Sequence, residues 1–177
     1  VDWQIADLRI QADPALLRSA LVQLLGNAFK FTRTREQGLI ELIAERSESD
    51  PSVTVQGFSI RDNGVGFDMS FADRLFAPFQ RLHPASVYEG NGIGLALVQR
   101  IVRRHGGRAW LHSVPEQGTQ AFVRLWETEP PPGAGELLDQ CDLHVRRHGH
   151  GFVLQAVARA DLDHLHPLGM FHGCTSN

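Results

Sequence analysis

The stretch best equipped for chemistry is Asp62-Asn63-Gly64-Val65-Gly66-Phe67. It follows the apolar run Val53 to Ile60 and precedes a helix-like segment, which places Asp62 at a strand end. Gly64 and Gly66, one residue apart, let the backbone take positive φ angles and come close to a flat ligand, while the Asp62 carboxylate offers an acceptor. Such a carboxylate can read an exocyclic amine such as that of adenine. The same letters also spell an ordinary Asp-Asn-Gly turn, and the motif alone does not choose between the two. Its company bears on the choice. Asn27-Ala28-Phe29-Lys30-Phe31-Thr32 comes before it, and Phe76-Ala77-Pro78-Phe79 and then Gly90-Asn91-Gly92-Ile93-Gly94-Leu95 come after.

The elements that must position these groups can be read in order. Val1 to Ile5 and Leu8 to Gln11 alternate apolar and polar residues around Ala6-Asp7, which predicts a strand pair at a sheet edge. Asp13-Pro14 is a helix start, and Leu16, Leu17, Ala20, Leu21, Leu24, Leu25 and Ala28 recur at helical spacing behind it. Gln23, Asn27 and Lys30 share one stripe of that helix. Leu39 to Ala44 and Val53 to Ile60 read as an antiparallel strand pair joined by a polar loop, and the second delivers Asp62. A short helix is expected over Phe71 to Phe79, a loop over Gln80 to Glu89, and a helix over Gly92 to His105 that stops at Gly106-Gly107. Arg108 to Ser113 and Thr119 to Trp126 are two further strands around the turn Pro115 to Gly118. Helices and a largely antiparallel sheet in this order predict an α+β domain with one sheet face covered.

Composition narrows the class. The chain of 177 residues, 42% hydrophobic and 21% charged, suits one domain with a real core and a short appendage. A net charge of −3 with no Lys/Arg run gives no reason to expect nucleic acid. No apolar stretch approaches the roughly 20 residues that span a bilayer, and no signal-peptide pattern opens the chain, so no membrane contact is expected. The chain begins at Val1 rather than Met and reads as a piece of something longer. Cys141 and Cys174 match neither a metal module nor a disulfide framework, as fits a reducing cytoplasm. After Glu129-Pro130-Pro131-Pro132-Gly133 the tail holds both cysteines and His144, His148, His150, His164, His166 and His172. Zinc-type spacing is lacking, no amphipathic pattern is clear, and the tail reads as a poorly packed extension without a functional account.

The region from about Leu8 to Trp126 resembles the catalytic, ATP-binding domain of bacterial sensor histidine kinases, within the wider gyrase, chaperone, kinase and mismatch-repair ATPase superfamily. Phe79-Gln80-Arg81-Leu82-His83, Glu89 to Val98 and Arg104-His105-Gly106-Gly107 look like the kinase cores of phytochrome and PAS-type sensors. The resemblance implies a Bergerat-type two-layer sandwich, with a mixed, mainly antiparallel sheet covered on one face by helices. It implies ATP and Mg²⁺ as cofactors. Asn27 would hold Mg²⁺, for which a neutral amide oxygen is a suitable hard ligand, and Lys30 would reach the phosphates as a point charge. Asp62, Gly64 and Gly66 would take adenine. Gly90, Gly92, Ile93, Gly94 and Leu95 would present main-chain N–H groups and a helix N-terminus to the phosphate chain, without a Walker lysine. The segment Gln80 to Glu89 would be a lid anchored by Phe76 and Phe79, with Arg81 at its base meeting the γ-phosphate. Gly118-Thr119 would abut the adenine pocket.

Relatives that hydrolyse ATP carry a glutamate as general base where this sequence has Gln23, an amide that takes no proton at neutral pH. Slow intrinsic hydrolysis follows. Phosphoryl transfer to a histidine remains feasible, because it is mostly positioning and charge neutralisation. The acceptor histidine would lie on a separate dimerisation domain that this chain lacks, with a response regulator downstream, so autophosphorylation by the chain alone is not expected. His83, His105 and His112 are not in acceptor settings. The implied layout is a catalytic domain over 1–126, a Pro/Gly-rich linker over 127–135 and an extension over 136–177. A non-enzymatic nucleotide-binding regulatory module is the alternative. Walker, EF-hand and hydrolase-elbow motifs are absent.

Overall fold

The computed structural model describes residues 1–6, 8–45, 56–82, 88–126, 140–148 and 151–158. Strand β1 (Asp2–Ile5) is followed by β2 (Leu8–Gln11) and helix α1 (Pro14–Thr32). Asp13 caps α1, its Oδ1 accepting from the N–H of Ala15 at 2.9 Å and of Leu16 at 3.0 Å, and Pro14 sits where no N–H is required. The apolar stripe is buried as its spacing demands, with Leu17, Leu21, Leu24 and Leu25 at 4% exposure or less. Each such side chain contributes about 1.5–3 kcal/mol by burial, against about 1 kcal/mol for a cap. Packing, more than capping, therefore holds α1.

Strands β3 (Leu39–Glu45), β4 (Gly57–Asp62), β5 (Arg108–Val114) and β6 (Gly118–Arg124) join β1 in a five-stranded sheet of order β1-β3-β4-β6-β5. β1 is parallel to β3 and every other pairing is antiparallel, so the sheet is mixed and mainly antiparallel. One face is covered by α1, packed on β3, β4 and β6, and by α2 (Gly94–Arg104), packed on β5 and α1. Ile40, Leu42, Phe58, Ile60 and Val123 meet Val98, Ile101 and Val102 of α2 in the same core as the α1 stripe. The alternation that buries Phe58 and Ile60 also turns Asp62 toward the helices. A two-layer sandwich results.

The expected pairing of the first two strands is corrected. β1 pairs with β3, while β2 pairs with β7 (Gln140–His148), which pairs with β8 (Gly151–Ala158) in a second, three-stranded sheet. Alternation marks a strand but carries no information about its partner. Ala6 continues the β1 ladder by donating to the Leu42 carbonyl at 3.0 Å, and the core then claims Ile10 and Ala12, 1% and 0% exposed. The tail stretch that offered no amphipathic pattern thus includes a β-hairpin, and β8 lies against α1. The linker 127–135, His83, His150, His164, His166 and His172 lie outside the described residues.

The short helix is a 3-10 helix over Met69–Phe76, capped by Asp68, which accepts from the N–H of Ser70 at 2.8 Å. It stops at Ala77, whose extended backbone is what a following proline imposes. α2 ends at His105, a buried ring with both nitrogens engaged: Nδ1 donates to the Ile101 carbonyl at 2.8 Å and Nε2 accepts from the N–H of Asp13 at 3.1 Å. This ties the end of α2 to the start of α1. The ring is committed to structure. His112 lies exposed on β5.

Candidate functional site

Asp62 ends β4 at 7% exposure beneath the helices. Its Oδ1 accepts from the N–H of Gly64 at 2.9 Å. Burial pushes its carboxyl up to about 6, against the opposing pull of the main-chain N–H groups of Gly64 and Thr119. Beside it Ile60, Leu111 and Ala121 form an apolar floor, and Gly66 lines the same cleft. Gly66 has φ +59°, and a Cβ there would run into the Val114 carbonyl oxygen, so only glycine fits. A mostly buried acceptor beside an apolar floor suits a flat heterocycle with an exocyclic amine.

The helical stripe Gln23, Asn27 and Lys30 also lines the cleft, with Lys30 beside Gly90 and Gln23 beside the α2 N-terminus at Gly94. Gln23 fits closely against that terminus, since a Cβ at Gly94 would stand 2.7 Å from its Oε1. Lys30 Nζ donates to the Glu89 carbonyl at 3.2 Å and lies 4.4 Å from the Phe31 ring centroid. Its pKa is lowered by burial first, then by the nearby Arg81 and Arg33 guanidinium groups. Arg81 Nη2 donates to the Tyr88 carbonyl at 2.6 Å. Cations and a helix N-terminus at this end of the cleft are chemically suited to an anion.

Of the residues singled out by sequence, the cleft brings together Asn27, Lys30, Asp62, Gly66, Arg81, Gly90, Gly92, Gly94, Leu95 and Thr119. Gly64, Phe79 and Ile93 stand outside its lining. Gly64 acts through its N–H on Asp62, and Ile93 is the N-cap residue of α2 at 38% exposure. Phe79 does not anchor a lid with its ring, which is 73% exposed on a backbone of φ +65°. It contributes main chain, its N–H donating to the Gly92 carbonyl at 2.8 Å. Of the expected lid, residues 83–87 lie outside the described part. Sequence reasoning missed Tyr88, the chain's one tyrosine, whose ring is 6% exposed and 5.0 Å from that of Phe31. A lone aromatic just before Glu89-Gly90 was the available signal. It also missed Ser113, whose Oγ accepts from the N–H of Phe67 and reaches the Gly118 carbonyl and Thr119 Oγ1, each at 2.9 Å.

Residues 12–129 match the model of the family described as histidine kinase-, DNA gyrase B-, and HSP90-like ATPase. The chain belongs to this family. Cyanobacterial phytochrome A of Nostoc sp. is 40% identical over 116 residues, 66% of this chain and 14% of that protein. The adaptive-response sensory kinase SasA of Nostoc sp. is 39% identical over 109 residues, 62% of this chain and 26% of that protein. The chain therefore spans only a minor part of these relatives. Among solved structures, the ATP-binding domain of PrrB from Mycobacterium tuberculosis is 27% identical with a TM-score of 0.52, covering 73% of this chain and 82% of that one. Full-length ShkA in complex with AMPPNP is 30% identical with a TM-score of 0.54, covering 73% and 26%. The fold is that of histidine-kinase ATP-binding domains, and the chain is an ATP-binding module of the kinase type. Among the described residues no helix is long and apolar enough to cross a membrane.

Proposed function

We propose that the chain binds Mg·ATP in this cleft and presents the γ-phosphate to a histidine on a separate helical dimerisation domain, from which an aspartate of a response regulator later receives it. The observation that carries this reading is the convergence of a buried acceptor, Asp62, with Asn27, Lys30, Gly90, Gly92 and Gly94 in the lining of one cleft. Asp62 accepts from the adenine amine and Gly66 leaves room for the ring. Main-chain N–H groups of the glycine turn and the α2 N-terminus bind the phosphate chain, and Lys30 and Arg81 exchange the carbonyls of Glu89 and Tyr88 for phosphate oxygens. Asn27 would hold Mg²⁺. Its neutral amide oxygen fits an ion that arrives on the nucleotide and keeps several waters. When bound, the ion would supply charge neutralisation at the phosphate oxygens.

The chain's own contribution is positioning. Gln23, against the α2 terminus, keeps an amide rather than a base near the phosphate end, so water is not activated and hydrolysis stays slow. The reading assigns catalysis to 1–126 and a linker role to 127–135, and leaves the isolated chain silent in autophosphorylation. Calorimetry with Mg²⁺ and a non-hydrolysable ATP analogue tests it. Binding heat is expected, with affinity about 10- to 100-fold weaker in Asp62→Asn, together with phosphohistidine only when an acceptor-bearing domain is added. Absence of heat in the unaltered chain would sink the proposal.

A further inference from the structure

Arg35 lies in the turn between α1 and β3, in no motif that the sequence marks. Its Nη2 donates to the Gly64 carbonyl at 3.0 Å and the Glu116 carbonyl at 2.7 Å, and stands 3.1 Å from Glu116 Oε2. The turn it touches is the one that holds Asp62. Val65 N–H donates to the Phe31 carbonyl at 3.3 Å, and the Val65 carbonyl accepts from Glu116 N–H at 2.7 Å. The Asn63 side chain accepts from Leu39 N–H and donates to the Gln37 carbonyl, both at 2.8 Å. Gly64 has no slack, since a Cβ there would lie 2.6 Å from the Phe31 carbonyl oxygen and 2.8 Å from Asp62 Oδ1. The Gly64–Val65 peptide is thus held at its oxygen by Arg35 and at its nitrogen by the end of α1, while Gly64 N–H sits on the Asp62 carboxylate. An exposed Arg–Glu pair alone counts for little. Here the Arg35 side chain is 30% exposed, and its guanidinium spends two of its contacts on main-chain carbonyls, one of them in the binding turn.

We propose that Arg35 is a positioning residue for nucleobase recognition, fixing the Gly64–Val65 peptide so that Gly64 N–H aims the Asp62 carboxylate at the base. This rests on the reading of Asp62 as the adenine acceptor. The test is calorimetric affinity of the whole chain for adenosine, Mg·ATP and inorganic triphosphate, in Arg35→Ala, Arg35→Lys, Glu116→Ala and Asp62→Asn. Arg35→Ala is expected to weaken adenosine and ATP by the same factor, about 3- to 10-fold, and to leave triphosphate unchanged. Arg35→Lys, keeping one cationic donor, recovers part of the loss. Glu116→Ala stays within about twofold, because the Glu116 carbonyl remains available. If Arg35→Ala does not fold, Arg35→Gln carries the same comparison. An Arg35 variant with unaltered adenosine affinity overturns the proposal, as does one that loses triphosphate as strongly as adenosine, which marks general damage. If Asp62→Asn also leaves adenosine binding untouched, the adenine reading fails as well, and the fault is located there rather than at Arg35.

Discussion

Replacing Asp62 by Asn should make the free chain more stable and the nucleotide bind less well. In the folded chain the carboxyl is raised from 3.8 to about 6 by burial. A group raised in this way contributes stability that is full below the unfolded value and is lost as the pH climbs through the folded one. At pH 7.5 the fold therefore carries an ionised, poorly solvated carboxylate. At about 1.36 kcal/mol for each tenfold change in proton affinity, the ceiling on that penalty is roughly 3 kcal/mol. Asn keeps the shape and can still accept from Gly64 N–H, so the variant should gain about 1–3 kcal/mol at pH 7.5, a gap that narrows as the pH is lowered toward 4. Urea denaturation across that range measures it. The same change removes a charged hydrogen-bond acceptor worth about 1.5–3 kcal/mol to the base, so adenosine should bind about 10- to 100-fold more weakly. A variant no more stable than the parent at pH 7.5, or a stability gap that ignores pH, would refute the account of Asp62 as a strained recognition group.

Lys30→Ala should lower affinity for ATP by about tenfold or more while sparing adenosine, since the ammonium stands at the anion end of the cleft; titration with both ligands checks the split. Gly92→Ala should abolish ATP binding, because at φ +71° the new Cβ would lie 2.8 Å from the Gln80 carbonyl oxygen, and strain of about 1–3 kcal/mol would reshape the turn. Equal affinity in the alanine variant would count against main-chain phosphate binding. His105→Ala should destabilise the fold by about 1–3 kcal/mol in urea, by orphaning Asp13 N–H, with ATP affinity of the folded variant preserved.

What was legible in the sequence was local. Asp13-Pro14 and the Leu17 to Ala28 spacing specify α1, and with it the stripe Gln23, Asn27 and Lys30, because caps and a 3.6-residue period act over a few neighbours. Asp62 at a strand end, followed by glycines, and the glycine turn ahead of α2 are likewise fixed by residue type, since only glycine takes the backbone of Gly66 and Gly92 without strain. Tertiary structure alone decided which strands pair, sending β1 to β3 and β2 to β7, because every strand offers the same ladder of donors and acceptors and burial elsewhere selects the partner. It also turned the Phe79 ring to solvent, buried Tyr88, and brought Arg35 across to Gly64 and Glu116. The raised proton affinity of Asp62 belongs to that second class, for a carboxylate has a definite environment only once distant residues have closed around it.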